Sequence, residues 1–230
     1  MATTKEGSDE VKDWHYYKKA IFSHPGGGKE LANVYDDWVD NYERDSTSHG
    51  YVAPTNLVDI ASDIINDKSG RILDAASGTG MVGTELKVRG FTCIDALDPS
   101  RCSLDKCKAR QAYMNYICDT LDDHQTDIPN DCYDAILMCG AFGLSGHVTD
   151  SCFPELIRIT KPGGYIMFTI STQILDEWRD RVDASIASLS QQGLWQLVDT
   201  RWCQYGYHGT EKLQATVPVL KVLKSNDGSM

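Results

Sequence analysis

The chain has 230 residues, enough for one sizeable hydrophobic core, so a single globular domain is expected. Its formal net charge of −11 would repel phosphate polyanions, which argues against nucleic acid as the main partner. It contains no long apolar run, and its amino end lacks a basic segment followed by an apolar stretch, so neither a membrane span nor a secretion signal is indicated. We therefore expect a monomeric cytoplasmic protein.

Eight cysteines are spread along the chain without a C-x-x-C pair. A chain of this length does not need disulfides to fold, and a zinc site would require ligands from distant segments. We expect free thiols and no metal site.

Three amphipathic stretches precede the first apolar run, and each is predicted to be a helix. They cover residues 9–22, 29–45 and 54–67, and turns rich in glycine, serine and proline separate them. We expect residues 1–28 to be a flexible segment with a first cap helix, and residues 29–67 to form a helical cap over the core.

From residue 71 onward, short apolar runs alternate with helical stretches, as is typical of a parallel sheet covered by helices on both faces. The predicted strands are residues 71–76, 92–98, 112–118, 133–140 and 163–171. The predicted helices are residues 80–89, 101–110 and 149–160.

The pattern changes after residue 171. A long amphipathic helix is predicted over residues 173–192, followed by strands over 194–207 and 213–224. The connection between these strands is too short for a parallel crossover, so they should pair antiparallel. The prediction is a single α/β domain with a Rossmann-like core over 68–224: a seven-stranded, mostly parallel sheet with an antiparallel C-terminal hairpin strand, helices on both faces and the N-terminal cap. Residues 225–230 are predicted to be a disordered tail.

A glycine-rich loop follows the first predicted strand, in the stretch RILDAASGTGMVG. Gly78, Gly80 and Gly83 have the G-x-G-x-x-G spacing of dinucleotide-binding loops, so a nicotinamide-dependent oxidoreductase is one hypothesis. Asp74 argues against it, because a carboxylate at the strand end would repel a pyrophosphate. A cofactor that carries an ammonium and a sulfonium would instead be attracted, and S-adenosylmethionine fits that description.

Acidic residues also follow the second and third predicted strands. Asp98 follows Gly80 at close to the spacing of about 20 residues at which a carboxylate binds ribose hydroxyls. Asp119 could accept a hydrogen bond from the exocyclic amine of adenine, with backbone groups of Thr120 and Leu121 near the ring. Each acid alone is equally compatible with a helix cap, a turn or a solvated loop. Their joint occurrence after three successive strands favours the cofactor hypothesis.

These segments resemble the class I S-adenosylmethionine-dependent methyltransferase superfamily. LDAASGTG is similar to its nucleotide-binding motif, DPS to the acid after its second strand, YDAILMCGAF to its fourth-strand motif and LIRITKPGGYIMFTI to its fifth-strand segment. More narrowly, VYDDWVDNYERD, GYVAP, GAFGLSGHV and FPELIRITKPGG resemble the methyltransferase-like family named after the Williams–Beuren syndrome chromosome region. The resemblance covers the chain from about Val34 to its carboxyl end.

The resemblance implies an enzyme that moves a methyl group from S-adenosylmethionine to a small molecule or a protein side chain, leaving S-adenosylhomocysteine. The residues that it implies for cofactor binding are Tyr35, Trp38, Asp74, Ala75, Ala76, Ser77, Gly78, Gly80, Asp98, Pro99, Asp119, Thr120, Leu121, Gly140 and Ala141. Methyl transfer needs no obligatory catalytic triad, so a cofactor-binding regulatory protein that has lost turnover is an open alternative.

The superfamily usually has glycine where Ala76 stands. We expect alanine to be tolerated, because it is small and need not adopt a positive φ there. His147, in the loop after the fourth strand, is the candidate base for removing a proton from the acceptor; a structural or exposed histidine is the alternative.

Two aromatic groups are candidates for covering the site. Tyr35, Trp38 and Tyr42 share one face of a predicted helix and could form an aromatic lid, with ordinary packing as the alternative. Near the last hairpin, a substrate wall could include some of four residues, since alternation turns only part of a strand inward. They are Trp202, Tyr205, Tyr207 and His208.

Overall fold

The computed structural model describes residues 12–23, 29–142, 147–174 and 176–223 of the chain. The strands within these ranges are β1 (Arg71–Ala75), β2 (Cys93–Leu97), β3 (Asn115–Ile117), β4 (Tyr133–Met138), β5 (Thr160–Phe168), β6 (Ile170–Ser171), β7 (Trp195–His208) and β8 (Glu211–Val222). The helices are α1 (Trp14–Ser23), α2 (Lys29–Trp38), α3 (Tyr42–Ser48), α4 (Ala53–Ile64), α5 (Met81–Val88), α6 (Arg101–Arg110), α7 (Phe153–Ile159) and α8 (Asp176–Gln191).

The strands form one mixed sheet in the order β3-β2-β1-β4-β5-β8-β6, with β7 paired to β8. The pairs from β3 to β5 are parallel, and β8 runs antiparallel to β5, β6 and β7. β6 continues β5 after a break at Thr169, and the two together contain the predicted fifth strand, residues 163–171, and extend it back to Thr160. The seven-stranded, mostly parallel prediction and the antiparallel final hairpin are therefore confirmed.

Helices cover both faces of the sheet, and each face carries its own hydrophobic cluster. One cluster joins α7 and α8 to the sheet around Phe153, Phe168 and Trp195. The other joins α4, α5 and α6 to the opposite face, around Leu57 and Leu86. Burial on both faces explains why the central strands read as nearly continuous apolar runs.

The prediction of one continuous helix over residues 29–45 is wrong, because a turn at residues 39–41 separates α2 from α3. The turn closes with a hydrogen bond from the Asn41 backbone N–H to the Trp38 carbonyl, 2.9 Å long. The Trp38 indole N–H then reaches past the turn to the Asp45 carboxylate at 2.9 Å. We call α1, α2 and α3 the cap; α4, which the prediction included in the cap, packs on the sheet instead.

Parts of the predicted segments lie outside the described residues. These parts include residues 1–11, the turn at 24–28, the loop at 143–146 and the predicted tail at 225–230. All eight cysteines lie in the described residues, and each is a free thiol. Within the described ranges, no helix is both long and apolar enough to cross a bilayer.

Candidate cofactor site

A cavity of about 360 Å³ lies beyond the carboxyl ends of β1, β2 and β4, beneath α2 and α3. Strand order reverses between β1 and β4, which is where open α/β sheets bind ligands. The volume is within the range typical of small-molecule sites. The predicted site residues that line this first cavity are Tyr35, Ala76, Gly78, Asp98, Pro99, Thr120, Leu121, Gly140, Ala141 and His147.

The glycine loop, residues 76–80, turns sharply after β1. Gly78 and Gly80 have φ values of +54° and +90°, and Ala76 has a φ of +53°. The expectation that Ala76 avoids a positive φ is therefore wrong, and the left-handed conformation costs roughly 1–2 kcal/mol for a residue with a Cβ. The turn allows the Ser77 N–H to donate to the Leu97 carbonyl at 3.0 Å, which ties the loop to the end of β2.

Three predicted contact residues lie in the layer that supports the loop instead of in the cavity wall. Ala75 is fully buried in the hydrophobic core. The Ser77 hydroxyl is buried against the Cys107 thiol. A Cβ added at Gly80 would lie 3.0 Å from atoms of neighbouring side chains, Cys107 among them, so this glycine allows the loop to pack closely on α6.

Asp74 is also buried below the loop and does not line the cavity. Its Oδ2 accepts hydrogen bonds from the Gly83 N–H at 3.1 Å and the Tyr113 hydroxyl at 2.6 Å. Its Oδ1 has no hydrogen-bond partner among the described residues. Burial raises the pKa of Asp74 to about 7. The carboxyl group therefore caps the first turn of α5, which is the helix-capping alternative noted from the sequence.

Gly83 lies against the hydroxyl end of the Tyr113 ring. A Cβ at Gly83 would be 2.2 Å from the ring carbon that carries the hydroxyl, so no other residue fits without displacing the ring. The third glycine of the dinucleotide-like spacing thus accommodates an internal side chain.

Asp98 lines the cavity and joins two of its walls. Its Oδ2 accepts the Gly78 N–H at 2.8 Å, and its Oδ1 accepts the Ser100 N–H at 2.9 Å. Burial, with a smaller contribution from the nearby Asp36 carboxylate, raises the pKa of Asp98 to about 6. The carboxylate therefore fixes the glycine loop relative to the start of α6.

Beyond β3, Thr120 and Leu121 line the cavity, whereas Asp119 does not. Asp119 Oδ1 accepts the Thr120 N–H at 2.8 Å and lies 3.2 Å from His124 Nε2. Asp122 is the acid that lines the cavity from this segment. The proposed adenine contact from Asp119 is therefore not supported by its position.

The predicted aromatic lid divides into two parts. Tyr35 and Tyr42 line the cavity, but Trp38 is buried in the cap. The Trp38 ring stacks on Tyr17 of α1, with 4.9 Å between ring centroids. Trp38 therefore holds the cap together, while its two neighbours form the cavity wall.

His147 lines the cavity from the segment that follows β4. Its Nε2 lies 2.7 Å from the Tyr35 hydroxyl. Burial raises the pKa of Tyr35 well above its usual value, so the phenol stays protonated in this contact. This contact joins α2 to the segment after β4.

Sequence reasoning missed further residues in the cavity wall. They are Leu31, Ala32, Val39, Thr79, Leu97, Ser100, Ser103, Asp122, Cys139, Val148 and Thr149. Helical spacing could have identified Leu31 and Val39, which lie four residues before and after Tyr35. Most of the others directly adjoin predicted residues in sequence. Thr79 is notable because its buried hydroxyl has no hydrogen-bond partner within the described ranges.

The four residues of the candidate substrate wall on β7 differ in their surroundings. Trp202 is 64% exposed and points away from the core, whereas Tyr205 packs against Tyr51 with 5.2 Å between ring centroids. Tyr207 is 41% exposed. The His208 side chain lies outside the described residues. No cluster of potential metal ligands occurs in the described part of the chain.

Comparisons with known proteins agree with this architecture. A family model described as a methyltransferase domain matches residues 72–164, from β1 into β5. Human methyltransferase-like protein 27 is 32% identical over 170 residues, which are 73% of this chain and 69% of that protein.

Solved structures with low sequence identity share the fold. A TehB-like S-adenosylmethionine-dependent methyltransferase from Corynebacterium glutamicum has a TM-score of 0.57 at 11% identity, covering 82% of this chain and 97% of its own. A Geobacter sulfurreducens S-adenosylmethionine-dependent methyltransferase in complex with S-adenosylhomocysteine has a TM-score of 0.52 at 17% identity, covering 76% and 93%. The [4+2]-cyclase SpnF has a TM-score of 0.63 at 14% identity, covering 88% and 100%.

These neighbours show the fold alone, because a shared fold does not fix the chemistry. The family model and the human relative identify the chemistry as methyl transfer, and neither favours a nicotinamide-dependent oxidoreductase or a non-catalytic binding protein. The chain therefore belongs, with human methyltransferase-like protein 27, to the class I S-adenosylmethionine-dependent methyltransferases.

Proposed function

We propose that the first cavity binds S-adenosylmethionine and that the enzyme methylates a small molecule or a protein side chain. The observation that supports this most is Asp98, a buried carboxylate that lines the cavity while two backbone N–H groups hold it in place. Such a carboxylate is a preorganised acceptor for ribose hydroxyls. When bound, the cofactor would supply an already activated methyl group.

The residues of the cavity suit the two ends of this cofactor. Gly78 and the Thr79 hydroxyl, which has no hydrogen-bond partner among the described residues, offer polar groups for the amino-acid end. Leu97 and Leu121 provide apolar walls for a purine ring. The Asp74 carboxyl lies one layer below the wall, so its charge would act on a sulfonium through the field instead of by contact.

The remaining wall aligns the acceptor and excludes water, which is most of what a displacement from an activated donor requires. Tyr35 and Tyr42 close the cavity from the cap. Burial raises the pKa of Tyr42 to about 12, so neither phenol removes a proton at neutral pH. We assign that role to His147, whose Nε2 can accept a proton once its hydrogen bond with Tyr35 opens.

Calorimetric titration tests the proposal. We expect S-adenosylmethionine and S-adenosylhomocysteine to bind with one-to-one stoichiometry and NAD to give no binding heat. Trp202→Ala, which alters an exposed side chain outside the cavity, is the control and should bind both compounds as the natural protein does. Binding of NAD without a response to either adenosyl compound would overturn the proposal.

Substitution of His147 tests its role separately. We expect His147→Ala to retain S-adenosylhomocysteine binding and to lose turnover once an acceptor is in hand, because cofactor affinity does not depend on the base. Unaltered turnover would remove His147 from the reaction.

A further inference from the structure

A second, larger cavity of about 970 Å³ lies between the cap and the β7–β8 hairpin. Trp14 and Lys18 of α1 line one side, and Tyr205 and Tyr207 of β7 line the other. Tyr51, which follows α3, lines the cavity as well. The volume is at the upper end of the range for small-molecule sites and exceeds that of the first cavity.

Two tyrosines that line the second cavity have their hydroxyls close to the wall of the first cavity. The Tyr51 hydroxyl lies 3.4 Å from Cys139 Sγ, and Cys139 lines the first cavity. A Cβ added at Gly140 would lie 2.4 Å from the Tyr51 hydroxyl oxygen and 3.3 Å from that of Tyr205. These hydroxyls therefore lie where β4 ends, between the second cavity and the proposed cofactor site.

The groups at this junction position a ligand but do not deprotonate it. Burial raises the pKa of Cys139 to about 12 and raises that of Tyr51 well above its usual value. Burial also raises the pKa of Tyr205. The thiol and both phenols therefore stay protonated at neutral pH, so none of them can act as the base.

Flat aromatic groups form much of the second cavity. The Trp14 indole stacks on the His49 imidazole, with 4.4 Å between centroids and 9° between planes. Across from this pair, the rings of Tyr51, Tyr205 and Tyr207 contribute further aromatic surface. Ring surfaces of this kind favour a planar partner, because aromatic pairs gain energy beyond simple burial.

The charge of the second cavity contrasts with that of the whole protein. The chain has 33 acidic residues and a net charge of −11. Among the described residues that line this cavity, however, Lys18 contributes a cation and no aspartate or glutamate occurs. The Lys18 ammonium lies 5.1 Å from the centroid of the Trp14 ring. A planar ligand that stacks near Trp14 would thus place an anionic substituent within reach of Lys18.

We propose that the second cavity binds the methyl acceptor, and that this acceptor is a planar aromatic compound with a carboxylate and a ring hydroxyl or amine. The carboxylate would pair with Lys18, and the hydroxyl or amine would point to Tyr51 and Tyr205. This inference rests on the proposed function.

In the transfer, a lone pair of the acceptor oxygen or nitrogen forms the new bond to the methyl carbon. The carbon–sulfur bond breaks with its electron pair going to sulfur, which becomes the neutral thioether of S-adenosylhomocysteine. The proton that the acceptor loses goes to His147, the base assigned above, so the hydroxyl or amine must extend past Tyr51 and Tyr205 into the first cavity, which His147 lines. No oxidant or reductant takes part.

Calorimetry on protein saturated with S-adenosylhomocysteine tests the proposal. The probes are 4-hydroxybenzoate, 4-aminobenzoate and 5-hydroxyindole-2-carboxylate, with 4-hydroxybenzamide as the uncharged match and 4-hydroxycyclohexanecarboxylate as the non-planar match. We expect at least one aromatic carboxylate to bind, and both matches to bind at least tenfold more weakly. The same carboxylate should release S-adenosylhomocysteine when mixed with enzyme and S-adenosylmethionine.

Two variants connect this binding to the cavity. Lys18→Gln should lower the affinity for the carboxylate to that for the amide and leave the amide unchanged. Lys221→Gln is the matched control, because its ammonium lies 5.8 Å from the centroid of the Tyr165 ring, outside both cavities. It should bind the carboxylate as the natural protein does.

The binding of S-adenosylhomocysteine alone separates this inference from the proposed function. Failure of every variant and of the natural protein to bind it would refute the proposed function. Normal binding of S-adenosylhomocysteine without binding of any aromatic carboxylate, or carboxylate binding that Lys18→Gln does not change, would refute the acceptor assignment alone.

Discussion

The two walls of the first cavity are built in different ways. On the sheet side, backbone groups hold the polar side chains, as when Asp98 accepts the N–H groups of Gly78 and Ser100. On the cap side, side chains hold side chains, as in the contact between Tyr35 and His147. Backbone contacts within a sheet-based wall are fixed by the fold itself, whereas the cap depends on separate pairs.

Further side-chain pairs join the cap to α6 and to Ser100, which precedes it. Ser100 donates to Asp36, Lys106 pairs with Asp40 at 2.5 Å, and Arg110 pairs with Glu43. Partly exposed ion pairs each contribute only about 0–1 kcal/mol to stability. We therefore expect the sheet wall to supply most of the cofactor affinity and the cap to be the wall that opens.

The largest expected effect is on the sheet wall. Asp98→Ala should weaken S-adenosylhomocysteine binding by on the order of 1–3 kcal/mol, or about 5- to 150-fold, because it leaves buried N–H groups unpaired and removes the ribose acceptor. Asp119→Ala, which removes a carboxylate outside the cavity wall, is the control and should change the affinity little. Calorimetry measures both. Equal losses would show that Asp98 has no special role.

The second effect concerns pH. Because the pKa of Asp98 is about 6, its carboxylate is largely protonated at pH 5. We expect S-adenosylhomocysteine affinity to rise roughly tenfold between pH 5 and pH 7 and then to level off, since the ionised form accepts hydrogen bonds more strongly. An affinity that falls over this range would contradict the role of the carboxylate.

The stability of the unliganded protein should change with pH in the opposite direction. The pKa values of Asp74 and Asp98 are raised above the unfolded value near 4, so the folded state binds more protons between about pH 4 and pH 7. The contribution of these groups to the free energy of unfolding therefore falls as pH rises through that window. Asp74→Asn should flatten this fall in urea titrations from pH 5 to pH 8. An undiminished fall would mean that Asp74 does not titrate there.

The third effect is on the cap. Arg110 donates to the Thr79 carbonyl at 2.6 Å and to the Thr84 hydroxyl at 3.0 Å while it pairs with Glu43, so it joins the cap to the glycine loop. Arg110→Gln should increase the dissociation rate of S-adenosylhomocysteine severalfold, measured by stopped-flow displacement. Lys106→Gln removes only the exposed pair with Asp40 and should change the rate less than about twofold. Similar rates for the two variants would argue against an opening cap.

The smallest effect is expected at Ala76. Ala76→Gly should raise the free energy of unfolding by about 0.5–1 kcal/mol, because relief of the positive φ exceeds the added freedom of the unfolded chain. Gln111→Gly is the matched variant, since Gln111 has the same φ of +53° at the exposed end of α6. Urea titration measures both. A gain at position 111 alone would mean that the alanine methyl contributes packing in the loop.

Sequence reasoning was most successful where local rules act. Alternating apolar runs located the strands, and Asp98 was identified because an acid after the second strand has a defined place in this type of sheet. The cap was harder. Tyr35 and His147 are 112 residues apart in the chain, and their contact depends on how two separate elements pack.

The directions of individual side chains could not be predicted from the sequence either. Helical spacing grouped Trp38 with Tyr35, but the turn at residues 39–41 and the packing on α1 turned its ring away from the cavity. Asp119 and Asp122 are near neighbours in one loop and both hydrogen-bond to His124, so the sequence pattern does not distinguish the acid that lines the cavity, Asp122, from the one that does not.

Gly83 completes the G-x-G-x-x-G spacing for a reason unrelated to dinucleotide binding. Its lack of a side chain makes room for the Tyr113 ring, whose hydroxyl reaches Asp74. A motif search based on sequence alone would assign this loop to nicotinamide-dependent enzymes, although the third glycine is required by internal packing. Changing that glycine would be expected to yield a poorly folding chain and not one with a new choice of nucleotide.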